Sequence, residues 1–208
     1  MKKFSLLMIF SLILFSCTKE EITTPEETTK DSFKISYKGN LYPVEVDNDG
    51  NWDKSNLNTD ISEALRNGHT LEIQKENTVY LFDRQDEVDT MISRLYPSAT
   101  DSKAIKSTGT ATCISYKHKD FGGSSITGTN NFSYPNLKWY GFNDVISSAI
   151  ITNYTSRAYM VQFFKHDYYG GSSHSVIIDP VIQSVATISS FRSIGLNDEV
   201  TSIKGIQL

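Results

Sequence analysis

One unit is written twice near the carboxyl end of this chain, and that duplication limits what the chain can fold into more than any other feature. The first copy opens Tyr116-Lys117-His118-Lys119-Asp120-Phe121-Gly122-Gly123-Ser124-Ser125, and the second opens Phe164-Lys165-His166-Asp167-Tyr168-Tyr169-Gly170-Gly171-Ser172-Ser173, 48 positions later. Each copy closes on a polar hexapeptide, Asn143-Asp144-Val145-Ile146-Ser147-Ser148 and Asn197-Asp198-Glu199-Val200-Thr201-Ser202. The offset there is 54, so the second copy holds six more residues between its signatures. A loop accommodates them best, because closure entropy grows slowly with loop length. An apolar residue and a glycine precede each hexapeptide, Leu137 with Gly141 and Phe191 with Gly195. From residue 111 onward, short runs of Val, Ile, Thr, Ser and aromatics are broken by Gly and Asn, and no helical period is sustained. Two copies of a β unit this long predict two four-stranded Greek keys packed face to face.

The spacing within each signature has a physical sense. Aromatics at the first and sixth positions and a glycine at the eighth describe a hairpin folded back on itself. One ring covers the turn, and the glycine supplies a dihedral that other residues resist. The hexapeptides carry Asn, Asp, Ser and Thr, whose oxygens, together with backbone carbonyls, suit a hard cation without piling up negative charge. No soft ligand or His group accompanies them. Calcium fits this donor set; zinc and copper do not.

These patterns together resemble the βγ-crystallin family, specifically its microbial calcium-binding members. The hairpin pattern aromatic-x-x-x-x-aromatic-x-Gly falls on Tyr116, Phe121 and Gly123, then on Phe164, Tyr169 and Gly171. The calcium signature Asn/Asp-Asn/Asp-x-x-Ser/Thr-Ser falls on Asn143 to Ser148 and Asn197 to Ser202 without a substitution. The resemblance covers residues 111–208 and implies two calcium ions shared crosswise. Asp144 would accompany the carbonyl of Glu199 and the hydroxyl of Thr201; Asp198 would accompany the carbonyl of Val145 and the hydroxyl of Ser147. Hairpin carbonyls at Lys117 and Lys165 would complete the shells, with Asn143 and Asn197 ligating or bracing. Relatives more often carry an acidic residue where Lys117 and Lys165 stand, so two ammonium groups lie near the implied ions. One carboxylate per ion implies modest affinity, micromolar to roughly millimolar. His118 and His166, equivalent in the two copies, read as exposed hairpin residues.

The amino terminus reads as an address. Lys2-Lys3, an apolar run from Phe4 to Phe15, and Ser16-Cys17 have the shape of a secretory signal too short to span a bilayer. Leu14-Phe15-Ser16-Cys17 resembles a bacterial lipobox, which implies removal of residues 1–16 and acylation (palmitate included) of Cys17. The lipid bilayer then becomes a partner, with more than one chain needed for stable anchoring. Residues 17–31 read as a charged tether with little to bury. Lys19-Glu20-Glu21 is similar to the tag that sends some Bacteroidetes-type lipoproteins outward, so the expected location is the cell envelope, anchored to the outer membrane. The formal charge of −4, −6 without residues 1–16, offers no basic face for nucleic acid.

Residues 32–96 predict a small α+β module of unknown role. A hairpin turns at Gly39-Asn40, and a helix opens on Asp60-Ile61-Ser62-Glu63 and ends at a left-handed Gly68. Two strands follow, from Thr70 to Gln74 and from Thr78 to Phe82. A helix capped by Asp83 then buries Val88, Met91, Ile92 and Leu95. The acidic stretch from Glu45 to Gly50 echoes an EF-hand loop but has Asn56 at the twelfth position, so it reads as a hydrated turn. Residues 97–110 read as a linker. Cys113, alone after Cys17, lies on an alternating stretch and reads as a buried thiol.

No nucleophile and base, phosphate loop or acid pair points to an enzyme. Two rival readings stand beside calcium binding. One is a protease inhibitor or toxin-like effector on the same scaffold. The other is recognition of an extracellular glycan or protein by the aromatics Phe132, Tyr134, Trp139 and Tyr140. His69 and His174 stand alone in the sequence and are assigned no role.

Overall fold

The computed structural model of the chain describes residues 32–46, 52–73, 76, 78–97, 109–179 and 185–208. Expectations for residues 1–31, for the stretch 47–51 and for most of the linker fall outside them. Within the repeat, the first copy forms β5 (Ala111–His118), β6 (Gly122–Thr129), β7 (Phe132–Tyr134) and β8 (Ser148–Asn153). The second forms β9 (Tyr159–His166), β10 (Gly170–Ile178), β11 (Val185–Ile188) and β12 (Ser202–Gln207). Each copy lends its third strand to the other's sheet, so one sheet runs β11-β8-β5-β6 and the other includes β10-β9-β12-β7. This exchange makes the pair a double Greek-key sandwich. The longer second copy places residues 179–184 between β10 and β11, where residues 130–131 suffice between β6 and β7.

The amino-terminal unit contributes β1 (Ser32–Tyr37), β2 (Asn40–Glu45), α1 (Thr59–Asn67), β3 (His69–Ile73), β4 (Thr78–Phe82) and α2 (Gln85–Leu95). Its strands extend the second sheet: β3 pairs in parallel with β10, and the order continues through β4 and β1 to β2. Alternation in the strands then sorts three cores. Tyr159, Val161 and Phe163 of β9 face the sandwich interior, where Phe163 meets Phe191 edge-on at 4.8 Å. Met160 and Ala158 face the opposite side with Leu71, Ile73, Val88 and Ile92 under α2. Ile35, Val44 and Leu81 pack beneath Ile61, Ala64 and Leu65 of α1. Trp52 touches both the sandwich core and the α1 core. Among the described residues no helix is long and apolar enough to cross a membrane.

Local details of the first unit depart from the sequence reading. The hairpin turns at Lys38-Gly39, both with positive φ (50° and 81°), so Asn40 is already paired with Tyr37 in the strand. Asn58 caps α1 by accepting from the Ile61 amide at 2.9 Å. Gly68 is extended (φ −90°), and a Cβ there would lie 2.5 Å from the carbonyls of Ala64 and Phe82, so close packing is what demands glycine. Asp83 does not cap α2; its carboxylate accepts from Tyr37 Oη at 2.7 Å and pairs with Lys38 Nζ at 3.0 Å. Glu87 instead reaches back to the amides of Asp83 and Arg84. Leu95, expected on the buried face, is exposed, and the buried residues of α2 are Val88 and Ile92.

The parallel joint between β3 and β10 sets a buried base beside a half-buried acid. His174 is fully buried, accepts or donates at Nδ1 with Thr70 Oγ1 (2.7 Å), and holds Nε2 3.6 Å from Glu72 Oε2. Burial disfavours both charges. It pushes the Glu72 carboxyl up to about 7 from 4.5 and the His174 imidazole down to about 3 from 6.5. Between pH 4.5 and 6.5 the unfolded chain holds a proton on His174 and none on Glu72, while the folded chain holds the reverse. The proton counts match, so the pair adds no slope to stability there. Glu72→Gln leaves only the histidine, which binds fewer protons when folded, and stability then falls as pH drops through this window. His174→Gln leaves only the raised carboxyl, and stability rises as pH drops. Urea unfolding at about pH 5 and pH 6.5 reads the two slopes; equal signs in the two variants contradict the assignment.

Candidate metal centre

Each closing hexapeptide is fixed to its own hairpin by its last serine. Ser148 Oγ donates to the His118 carbonyl at 2.6 Å and accepts the Phe121 amide at 3.0 Å. Ser202 Oγ does the same to the His166 carbonyl at 2.7 Å and the Tyr169 amide at 3.1 Å. The hairpins carry the tension that these bonds offset: Asp120, Phe121, Tyr168 and Tyr169 all have positive φ, a costly backbone for side chains of that size. Tyr116 meets Phe121 at 6.0 Å and Phe164 meets Tyr169 at 5.5 Å, both edge-on. Gly123 and Gly171 lie under the rings of His118 and His166, whose Cδ2 would be 2.6 Å from an added Cβ in each case. The two exposed histidines thus act as covers over the hairpin glycines, a role that explains their repetition.

The two hexapeptides then face each other through a reciprocal pair of backbone bonds. The Asp144 amide donates to the Val200 carbonyl, and the Asp198 amide donates to the Ile146 carbonyl, both at 3.3 Å. Asp144 and Asp198 adopt left-handed backbones (φ 52° and 55°) and remain exposed. Asn143 and Asn197 each brace the neighbouring aspartate, donating from Nδ2 to its Oδ2, at 2.7 Å in the second loop. In front of the loops, the Leu137 amide donates to the Thr201 carbonyl and the Phe191 amide to the Ser147 carbonyl, both at 2.8 Å.

One half of this arrangement gathers oxygens around a single proton. Ser147 Oγ lies 2.8 Å from Asp198 Oδ1 and 3.0 Å from the Lys117 carbonyl. One hydroxyl proton cannot serve both acceptors, and a cation at ordinary calcium distances would satisfy all three oxygens. In the other half Thr201 Oγ1 is buried without a hydrogen-bond partner, an unsatisfied group of the kind that a ligand explains. Asp144 reaches this half through its amide, which bonds the Val200 carbonyl one residue before Thr201. The lysine ammoniums are turned to other partners. Lys165 Nζ pairs with Glu199 Oε2 at 2.8 Å, and Lys117 Nζ sits 4.8 Å from the centroid of the Phe142 ring. Val145 packs against the sandwich core, leaving its carbonyl as the group it could offer. Among the described residues no three His, Cys, Asp or Glu side chains gather around one point. The donor set is instead carbonyl, hydroxyl and single carboxylate, which suits calcium and excludes a thiolate or imidazole metal.

The remaining candidates sort by exposure. Cys113 is buried and its thiol is pushed up to about 12 by burial, which leaves it unreactive. Phe132 is wedged against Gly128 and Gly205, so it serves packing. Tyr134 donates its hydroxyl to the Thr127 carbonyl at 2.6 Å. Trp139 and Tyr140 are exposed, and Trp139 stands edge-on to exposed Tyr168 at 6.4 Å.

No protein-family model and no curated protein sequence matches the chain. Solved structures do. A βγ-crystallin from an archaeon is 26% identical, over 47% of this chain and 98% of that one, with a TM-score of 0.34. A βγ-crystallin from Ciona intestinalis is 24% identical over 47% and 99%, with a TM-score of 0.34. Spherulin 3a from Physarum polycephalum is 25% identical over 47% and 84%, with a TM-score of 0.36. The fold itself is a double Greek-key sandwich with strand exchange between its two keys, and it carries the small α+β unit on its sheet edge.

The twin serines generate a stability prediction. Ser202→Ala leaves the His166 carbonyl and the Tyr169 amide without their partner and costs about 1–3 kcal/mol in chemical denaturation. Ser148→Ala behaves alike, whereas exposed Ser124→Ala stays within about 0.5 kcal/mol of the parent. Equal stability in all three variants contradicts the assignment.

Proposed function

We propose that the chain is an exported, lipid-anchored protein of the bacterial outer membrane whose double Greek-key domain binds two calcium ions and is stabilised by them. The observation that carries this reading is the convergence of Asp198 Oδ1 and the Lys117 carbonyl on Ser147 Oγ, at 2.8 Å and 3.0 Å, with one hydroxyl proton for both. The buried, unpartnered Thr201 hydroxyl supports the second ion. Asp198, Ser147 and the carbonyls of Val145 and Lys117 would hold one ion. Asp144, Thr201 and the carbonyls of Glu199 and Lys165 would hold the other. A bound ion supplies two positive charges that tie the loops together without any covalent step. The acyl group on Cys17 anchors the chain, and the tether from residue 18 to 31 sets the domain off the bilayer. One observation favours a second reading, recognition of a surface glycan or protein: Trp139 and Tyr168 stand exposed at 63% and 66% on one edge of the sandwich.

Occupancy stabilises the folded chain in proportion to ln(1 + [L]/Kd), about 1.4 kcal/mol per site at tenfold saturation. Calcium therefore raises the melting temperature relative to chelator by several degrees, and magnesium at the same concentration raises it far less. Asp198→Asn and Asp144→Asn each remove part of the rise, and the double variant removes all of it. A melt that is the same in calcium and in chelator contradicts the proposal.

A further inference from the structure

Two exposed rings stand on the sandwich where its own repeat has small polar groups. The tip of each hairpin docks on the segment that leads into the other copy's closing hexapeptide: the Tyr168 amide donates to the Pro135 carbonyl at 2.8 Å, and the Asp120 amide to the Ser189 carbonyl at 2.9 Å. These twin bonds make Asp120 the counterpart of Tyr168, and the same offset of 54 makes Ser193 the counterpart of Trp139. Ser193 Oγ donates to the Ser190 carbonyl at 2.9 Å, and Asp120 pairs with Lys119 at 3.7 Å. The Greek key therefore closes without an aromatic at either place. Asp120 and Tyr168 both have left-handed backbones, φ 54° and 55°. Aspartate tolerates that region, whereas a bulky ring there adds cost. Tyr168 nevertheless stands exposed, as does Trp139, and the two meet edge-on at 6.4 Å with 77° between their planes. Beside them, buried Asn136 donates from Nδ2 to Asp167 Oδ2 at 2.7 Å, which fixes an exposed carboxylate with Oδ1 left for a further donor.

From this geometry we infer that the corner formed by Trp139 and Tyr168 binds a neutral glycan of pyranose rings with equatorial hydroxyls; the inference rests on the recognition reading above and names its ligand. Such a sugar has a flat face of C–H bonds and a rim of hydroxyls. The face stacks on the indole of Trp139, whose π-cloud is negative, and Tyr168 stands as the wall. Asp167 Oδ1 accepts from a hydroxyl at the rim, a charge-assisted bond. The exposed charges next to the rings in the chain, Lys138 and Asp167, cancel, so no surplus cation draws an acidic sugar or a nucleic-acid strand. A protein partner covers about 800 Å² on each side of a stable interface. Trp139, Tyr140 and Tyr168 together offer roughly 400 Å² at most. The other large apolar side chains exposed among the described residues, Leu41, Leu95, Tyr154 and Val185, stand on other elements or turns and do not widen the patch.

Isothermal titration and acrylamide quenching of tryptophan emission, both on the purified full chain, test the inference. Cellohexaose is the neutral probe, hexagalacturonate its acidic counterpart, and phosphatidylcholine vesicles the lipid surface. Of the chain's two tryptophans Trp52 is half-buried, so the readily quenched emission reports Trp139. Cellohexaose binds and shields Trp139, hexagalacturonate binds about tenfold or more weakly, and vesicles leave the quenching unchanged. Trp139→Ser, which copies Ser193, and Tyr168→Asn, which suits a left-handed backbone, each weaken cellohexaose about tenfold or more in the titration. Both variants keep the parent's melting temperature within about 2 °C. No binding of cellohexaose, equal binding of the acidic hexamer, shielding by vesicles in place of sugar, or sugar binding that survives both substitutions overturns the glycan assignment. If the melting temperatures hold in that event, recognition of a protein by the rings still stands. If they fall in both variants, the rings serve the fold, and the recognition reading falls with the glycan.

Discussion

Two backbone hydrogen bonds, from Asp144 to the Val200 carbonyl and from Asp198 to the Ile146 carbonyl, hold the closing loops of the repeat face to face. The rest of the candidate centre depends on them. Across that junction the Ser147 hydroxyl of one loop meets the Asp198 carboxylate of the other at 2.8 Å. Strand exchange makes this possible. Because β7 and β11 each sit in the partner copy's sheet, the loops that follow them are delivered to the same end of the sandwich. The serine that ends each hexapeptide then locks the loop to a hairpin whose backbone is itself held in a costly conformation.

The duplication is not quite symmetric, and the differences have causes in the surroundings. In the first half Ser147 is already engaged with Asp198 and the Lys117 carbonyl. In the second, Thr201 presents a buried hydroxyl with no partner, and Glu199 is drawn toward Lys165. The second half also borders the amino-terminal unit: a Cβ at Gly195 would sit 3.5 Å from the Leu65 carbonyl at the end of α1. Lys165 stands at the crossing point: its ammonium pairs with Glu199 of the second loop, and the residue lines a cleft together with Arg66 and Asn67 of α1. Of the four buried side-chain polar atoms without a hydrogen-bond partner among the described residues, Thr201 Oγ1 falls in the second closing loop and Ser172 Oγ near the start of β10, beside the second hairpin. The others, Tyr159 Oη and His174 Nε2, belong to the sandwich core and to the joint between β3 and β10.

The repeat was legible in the sequence because its constraints are local. Paired aromatics, positive-φ glycines and oxygen-rich turns each act over a few residues, and their recurrence in order fixes a doubled β unit. What bridges the two units was not legible, since nothing in His69-Thr70-Leu71-Glu72-Ile73 says that its free edge will pair in parallel with β10. The buried meeting of His174 with Thr70 and Glu72 follows from that pairing, so isolated histidines in the sequence gave no warning. Single-residue expectations failed where a distant partner competed with a local one. Asp83 is held by Tyr37 and Lys38 across the sheet, which removes it as a cap. Gly68 is required by the carbonyls of Ala64 and Phe82 rather than by its own dihedral.

Crystals grown with calcium and measured at a wavelength where the ion scatters anomalously test the crosswise donation most directly. The account predicts two anomalous peaks, each with loop ligands from both hexapeptides: Asp198 together with Ser147, and Asp144 together with Thr201. An ion whose loop ligands all come from one hexapeptide, or no peak at either loop under saturating calcium, contradicts it.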